Sequence, residues 1–171
     1  MSETKVIGID LGATNIRAGL VHEGNIHTIQ SKRIKSEGTV EEVLADFYLL
    51  IDTLLDNEVV AIGIGVPSVV DLAKGIVYDV QHIPSWKEVP LKEILEKKYK
   101  LPVYVNNDAN CFALGEFHFG KGRGKSDMIG LSIGTGLGGG AIVNKHLFAG
   151  SNCGAGEFGM VDYLDHNYEY Y

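Results

Sequence analysis

Residues 59–105 read as strand, helix, strand, and no other feature of the chain constrains its fold as strongly. Val59 to Val66 is an apolar run broken only by Gly63 and Gly65, the pattern of a central parallel strand packed closely under a helix. Pro90 then opens a short helix with Leu91, Ile94, Leu95 and Tyr99 on its apolar side, and Pro102 closes the connection before Val103-Tyr104-Val105. Two strands joined through a helix lie parallel in one sheet, so the chain is of α/β class. Three further strands precede this unit, Val6 to Asp10, Ile16 to His22 and Ile26 to Ile34, separated by polar tips at 11–15 and 23–25. Thr39 with Glu42 forms a capping box. Behind it Val40, Val43, Leu44, Phe47, Ile51, Leu54 and Leu55 recur at helical spacing, an amphipathic helix whose stripe reads as core.

The strand at 103 runs into Asn106-Asn107-Asp108-Ala109-Asn110. A carboxylate at the C-terminal end of a parallel strand faces the crevice where open α/β sheets bind ligands, which makes Asp108 a candidate general base. Asp is also a favoured N-cap, the commoner role, and the stretch alone leaves open that Asp108 caps a helix beginning near Ala109. Near the start, Asp10-Leu11-Gly12-Ala13-Thr14 makes a hairpin tip. Gly12 lacks the Cβ that would hold the backbone away from a phosphate, and the Thr14 hydroxyl and turn amides offer donors. Asp10 is placed to hold a hydrated magnesium ion. An ordinary hairpin is the alternative, since Gly, Asp and Thr are common in turns.

The same arrangement returns near the other end, as a strand Met128 to Ile133, a turn Gly134-Thr135-Gly136, and a return strand Gly138 to Val143 whose consecutive glycines are expected to twist or bulge it. Two such turns flanking an aspartate at a strand end make a clamp for a polyphosphate facing a base. Between Val69 and Trp86 the chain reads as irregular, with a short strand at Ile76 to Val80. Gln81, His82, Ser85 and Trp86 together suit a sugar, although a lone Trp is more often a packing anchor.

Composition narrows the classes. With 171 residues, 45% hydrophobic and 22% charged, the chain has material for one ordinary core. Fifteen Lys plus Arg against 22 Asp plus Glu give a net charge of −7 with no basic run, which argues against a nucleic-acid partner. Met1-Ser2-Glu3-Thr4-Lys5 passes straight into a strand pattern, with no signal-like leader and no run long enough for a bilayer, so a cytoplasmic protein without a membrane partner is expected. Cys111 and Cys153 lack metal-ligand spacing and read as reduced structural thiols. Residues 115–171 hold 14 of the 22 glycines, a shift that sets a boundary near Gly120-Lys121-Gly122-Arg123-Gly124 and divides the chain into 1–119 and 120–171.

These motifs resemble the ROK family of bacterial sugar kinases and sugar-sensing repressors, part of the actin-like, ribonuclease-H-like ATPase superfamily. The resemblance rests on Asp10-Leu11-Gly12-Ala13-Thr14, on Ile83-Pro84-Ser85-Trp86 followed by Val89-Pro90-Leu91, on Asn107-Asp108-Ala109-Asn110, and on Gly134, Gly136, Gly138, Gly139 and Gly140 around Thr135. It implies an actin-like domain with a mixed sheet over 1–119 and the start of a second similar domain over 120–171. It also implies ATP-dependent phosphorylation of a hexose or N-acetylhexosamine. In that reading Asp108 is the base, Asn107 and Glu157 contact the sugar, Gly12, Thr14, Gly134, Thr135 and Gly136 hold the phosphates, and Mg²⁺ sits on them near Asp10.

The sequence departs from the family pattern in three places. Glu157-Phe158-Gly159-Met160 ends in Met160 where the family has a histidine that binds sugar and ligates structural zinc, and a thioether does not replace it at zinc; no zinc is expected. Ser68, after Pro67, stands among the sugar contacts where the family often has glycine. The chain stops at Tyr171, before the family's cysteine-rich loop and its adenosine-holding segments, so a fragment is expected, with exposed strands that favour self-association or a homo-oligomer. The alternative from another class is a non-catalytic sugar-sensing regulator of the same family lacking its DNA-binding domain, with only five residues before Val6 to hold one.

Overall fold

The computed structural model describes residues 4–134, 136–150 and 153–160. Its contacts group into two units, Met1–Asp108 and Ala109–Tyr171. This division falls eleven residues before the composition shift at 119/120, because the helix after Asp108 groups with the later strands.

In the first unit, β1 (Lys5–Leu11), β2 (Asn15–His22) and β3 (Asn25–Arg33) form an antiparallel meander. The strands β4 (Val59–Val66) and β8 (Val103–Asn107) add to it in parallel. The sheet order is β3-β2-β1-β4-β8, the mixed sheet that the resemblance implies. Period-two alternation sends Ile7, Ile9 and Leu11, Ile16 and Ala18, Ile62 and Ile64, and Val103 and Val105 into one core. The helix α1 (Val40–Leu54) brings Val43, Phe47, Leu50 and Ile51 to that core, and α2 (Leu91–Tyr99) brings Leu91 and Leu95. Fully burying each such side chain stabilises the fold by about 1.5–3 kcal/mol.

Both capping-box bonds of α1 form, from Glu42 N–H to the Thr39 hydroxyl at 3.3 Å and from Thr39 N–H to the Glu42 carboxylate at 3.0 Å. Leu55 is the C-cap of α1 and stays partly exposed. Asp46 enters the buried face of α1 in spite of its charge, because it accepts from Lys35 N–H at 2.9 Å and pairs with Lys32 at 3.2 Å.

The segment 69–89 is more ordered than its sequence suggests. The strands β5 (Val69–Asp71), β6 (Ile76–Tyr78) and β7 (Glu88–Val89) form a small antiparallel sheet. Pieces of two or three residues are too short to show a period, and their pairing is long-range. Trp86 is fully buried and stacks on Phe47, with centroids 5.7 Å apart and planes at 18°. It is therefore a packing anchor, while Gln81 and His82 lie exposed on the surface.

The second unit holds most of α3 (Asp108–His118), the antiparallel strands β9 (Met128–Ile133), β10 (Leu137–Val143) and β11 (His146–Phe148), and a 3-10 turn at Phe158–Met160. The order β11-β10-β9 repeats the meander of the first unit. The β9–β10 register runs unshifted from Leu137↔Ile133 to Ile142↔Met128, so the expected bulge at Gly138-Gly139-Gly140 does not form. Those glycines serve close approach instead. A Cβ on Gly138 would stand 2.9 Å from Ala109 Cβ, and one on Gly140 would stand 2.7 Å from Ala113 Cβ. Ala109 and Ala113, one helical turn apart, lay α3 on a strip of backbone. Among the described residues no helix is long and apolar enough to cross a membrane.

Candidate active site

Parallel pairing of β1, β4 and β8 brings their carboxyl ends to one edge of the first unit. Asp10 is in register with Gly65, Gly65 with Asn106, and Val66 with Asn107. Asp10 lies on the face opposite the core residues Ile9 and Leu11, exposed, and pairs loosely with Arg17 at 3.8 Å. The Gly12 N–H donates to the Asn15 carbonyl at 2.9 Å, and the Thr14 carbonyl accepts from Ile34 N–H at 3.0 Å. The turn is thus braced from both sides and leaves the Thr14 side chain exposed. The amide of Gly12 is spent on this bracing, so the donors left for a ligand are those further round the turn.

Ser68 and Asn107 come together at the same edge. The Asn107 side-chain amide donates to the Ser68 carbonyl at 3.4 Å, the Asn106 side-chain oxygen accepts from Asn107 N–H at 2.8 Å, and the Ser68 hydroxyl donates to the Tyr78 carbonyl. The small sheet therefore holds the loop after β4 through Ser68, and that loop helps to orient Asn107. The helix α3 starts at Asp108, directly after β8 ends at Asn107. No turn residue separates strand from helix, and the half-buried Asp108 stands at the junction. Asp108 is the first helical residue.

In the second unit, Gly134 N–H donates to the Gly136 carbonyl at 2.9 Å; Thr135 lies outside the described residues. A Cβ on either glycine would meet nothing within 4 Å among the described residues. Glu157 is half-buried on a segment fitted closely to β10. Gly156 has φ +97°, a conformation L residues rarely adopt, and a Cβ on it would run into the Gly139 carbonyl. The side chain of Met160 is outside the described residues.

The donor chemistry fits a nucleotide phosphate with magnesium. The Asp10 carboxylate is an exposed hard oxygen ligand, suited to an ion that keeps most of its water, and the glycine turns offer backbone without side chains. Among the described residues no group of three or more His, Cys, Asp or Glu is assembled for a metal ion. A turn over 12–14 sets Arg17 opposite Asp10 across the hairpin.

Comparison with known proteins agrees over nearly the whole chain. A family model described as "ROK family" matches residues 6–167. The chain is 39% identical over 157 residues to a glucokinase of Streptomyces coelicolor, covering 91% of this chain and 49% of that protein. It is 37% identical over 161 residues to a xylose repressor of Caldicellulosiruptor bescii, covering 90% and 40%. Among solved structures, a ROK family glucokinase from Streptomyces griseus in complex with glucose and AMPPNP superposes with a TM-score of 0.82 at 37% identity, covering 92% of this chain and 50% of that one. The chain spans about half the length of the glucokinases it matches.

Proposed function

This chain belongs to the ROK family, and from that premise we propose that it carries the sugar and phosphate machinery of an ATP-dependent kinase acting on a hexose or N-acetylhexosamine. The observation that carries this reading is the shared edge of β1, β4 and β8, where Asp10, the Ser68–Asn107 contact and Asp108 meet at the carboxyl ends of parallel strands. A glucokinase of the same fold binds glucose and AMPPNP, which supports a sugar and a nucleotide as the partners here.

In this reading Asp108 accepts the proton of the attacking sugar hydroxyl. Asn107, held against the Ser68 carbonyl, orients the sugar with Ser68, and Glu157 is a sugar contact on the strength of the family resemblance alone. Thr14 and the turn amides beyond Gly12, and separately the turn formed by Gly134, Thr135 and Gly136, hold phosphate oxygens, Gly12 contributing the absence of a side chain while its own N–H stays on the Asn15 carbonyl, and Asp10 holds hydrated Mg²⁺. The metal, when bound, neutralises phosphate charge, which together with positioning supplies most of the catalysis of phosphoryl transfer. In this reading the protein works in the cytoplasm, where ATP is supplied, with a sugar and a nucleotide rather than a nucleic acid as its partners. The exposed apolar residues Ile129, Leu131 and Ile133 on β9 support self-association.

The test measures sugar binding by calorimetry and transfer from γ-labelled ATP in single turnover, over hexoses and N-acetylhexosamines, for a version of the chain completed to the length of its relatives and for that version carrying Asp108→Asn; the 171-residue chain alone is expected to bind sugar weakly and not to phosphorylate it. Transfer is expected to fall by roughly 10²- to 10⁴-fold in the variant, with sugar affinity nearly unchanged. Equal transfer by both removes Asp108 from the mechanism. The xylose repressor relative gives a second reading, a sugar sensor, for which sugar would bind with no transfer from ATP in either protein.

A further inference from the structure

We propose that His22 and His27 form a binding site for a divalent transition metal ion, Zn²⁺ or Ni²⁺, at the turn end of the β2–β3 hairpin. The site is separate from the phosphate turns and does not depend on the kinase reading.

The tight turn at Glu23 and Gly24, both with positive φ, folds β3 back on β2 and brings the two imidazoles together. Their ring centroids are 5.6 Å apart and their planes meet at 46°. A β-bulge makes this contact. Ile26 faces Val21 and Thr28 faces Leu20, so His27 is the extra residue of β3, and a bulge re-aims the side chains around it. His22 is half-buried and His27 is exposed. The His22 Nε2 atom is shielded from water and has no hydrogen-bond partner among the described residues. A shielded nitrogen without a partner is unfavourable, and a metal ion on its lone pair removes that penalty.

The spacing suits two imidazoles on one ion. Metal–imidazole bonds of about 2.0–2.1 Å put each ring centre roughly 3.2 Å from the ion, and ligand angles of about 110–120° then set the centres about 5.2–5.6 Å apart. The exposed His27 ring turns easily about its outer torsion to present a nitrogen. Charge also favours a cation. Lys5 stands opposite His22 across the β1–β2 ladder, but its ammonium is matched by two carboxylates, Asp56 at 2.8 Å and Glu58 at 2.5 Å. Asp10 lies at the other end of β1, about 17 Å away at the rise of a strand, so this site and the magnesium position are distinct. Among the described residues no third His, Cys, Asp or Glu completes a metal cluster, and water fills the remaining positions. An ion held by two protein ligands exchanges with the medium, so the purified chain is still expected to carry no stoichiometric zinc.

Zn²⁺ and Ni²⁺ are titrated by calorimetry into the 171-residue chain, His22→Gln, His27→Gln and, as the control, His146→Gln on β11 of the second unit. A background of Mg²⁺, a hard ion that prefers oxygen, occupies carboxylate sites. The parent is expected to bind one ion that EDTA removes, and to melt at a higher temperature with it, because a ligand of the folded chain stabilises that state. Either His substitution should weaken binding by roughly 10- to 100-fold or more, since loss of even an outer partner of a metal ligand costs that much, and should abolish the rise in melting temperature. His146→Gln should match the parent. Because His27 is exposed, His27→Gln keeps the test decisive even where His22→Gln does not fold. No binding of either ion by the parent, parent-like binding by His27→Gln, or equal weakening in His146→Gln overturns the inference and leaves the kinase reading standing.

Discussion

Truncating Trp86 should cost the first unit a large part of its stability. The indole is fully buried, stacks on Phe47 at 5.7 Å, and lies in a turn closed by Val80 N–H to the Trp86 carbonyl at 3.0 Å and Trp86 N–H to the Ile83 carbonyl at 2.8 Å. Trp86→Ala leaves a cavity in the core and should cost about 3–5 kcal/mol, against a total of about 5–15 kcal/mol for an ordinary domain. Trp86→Phe behaves differently. It keeps a ring against Phe47 and removes the indole Nε1–H, which is buried without a partner among the described residues. Burying such a donor costs about 1–3 kcal/mol, which offsets the smaller cavity, so the net change should stay within about 1.5 kcal/mol. The assay is urea unfolding followed by far-ultraviolet circular dichroism, since Trp86 is the sole tryptophan and its loss removes that fluorescence signal. With a slope of about 1–3 kcal/mol/M, the alanine midpoint should drop by about 1 M or more. An alanine variant within about 1 kcal/mol of the parent would refute the packing argument, and lost sugar binding at parental stability would return Trp86 to the sugar site.

Gly140→Ala would set a Cβ 2.7 Å from Ala113 Cβ and 3.1 Å from the Ala109 carbonyl, so the second unit should lose about 1–3 kcal/mol by overpacking; an unchanged melting curve would show that α3 moves freely off the strand. The backbone N–H of Lys74 holds the Asp71 carboxyl below the usual carboxylate range, with support from the Lys74 charge and Ala73 N–H. A depressed folded value stabilises above the unfolded pKa of about 3.9 and is lost as pH falls through the folded value, so the melting-temperature gap between parent and Asp71→Asn should close between about pH 5 and pH 2, and a gap constant with pH would refute it. Met160 stands in the zinc-ligand position of the family motif, so elemental analysis of the purified chain should show no stoichiometric zinc, and about one zinc per chain would contradict this.

Local periodicity and local chemistry make much of this protein legible in its sequence. The strand Val59–Val66, the capping box at Thr39 and Glu42, and the junction at Asp108 depend on neighbours within a few residues, and they occur where the pattern puts them. The ROK motifs are local strings too, which is why family and fold could be read from residues 6–167. Features decided by partners far along the chain were not legible. The strands β5 and β7 are two or three residues long and exist through pairing with β6. Trp86 could serve a sugar or a core until Phe47, some forty residues away, came to lie against its face. Three consecutive glycines suggest a bulge by composition, but Ala109 and Ala113 on α3 decide that they remain in a regular strand. Sequence carries short-range preferences directly, whereas the choice among long-range contacts is made by the packing of the whole core.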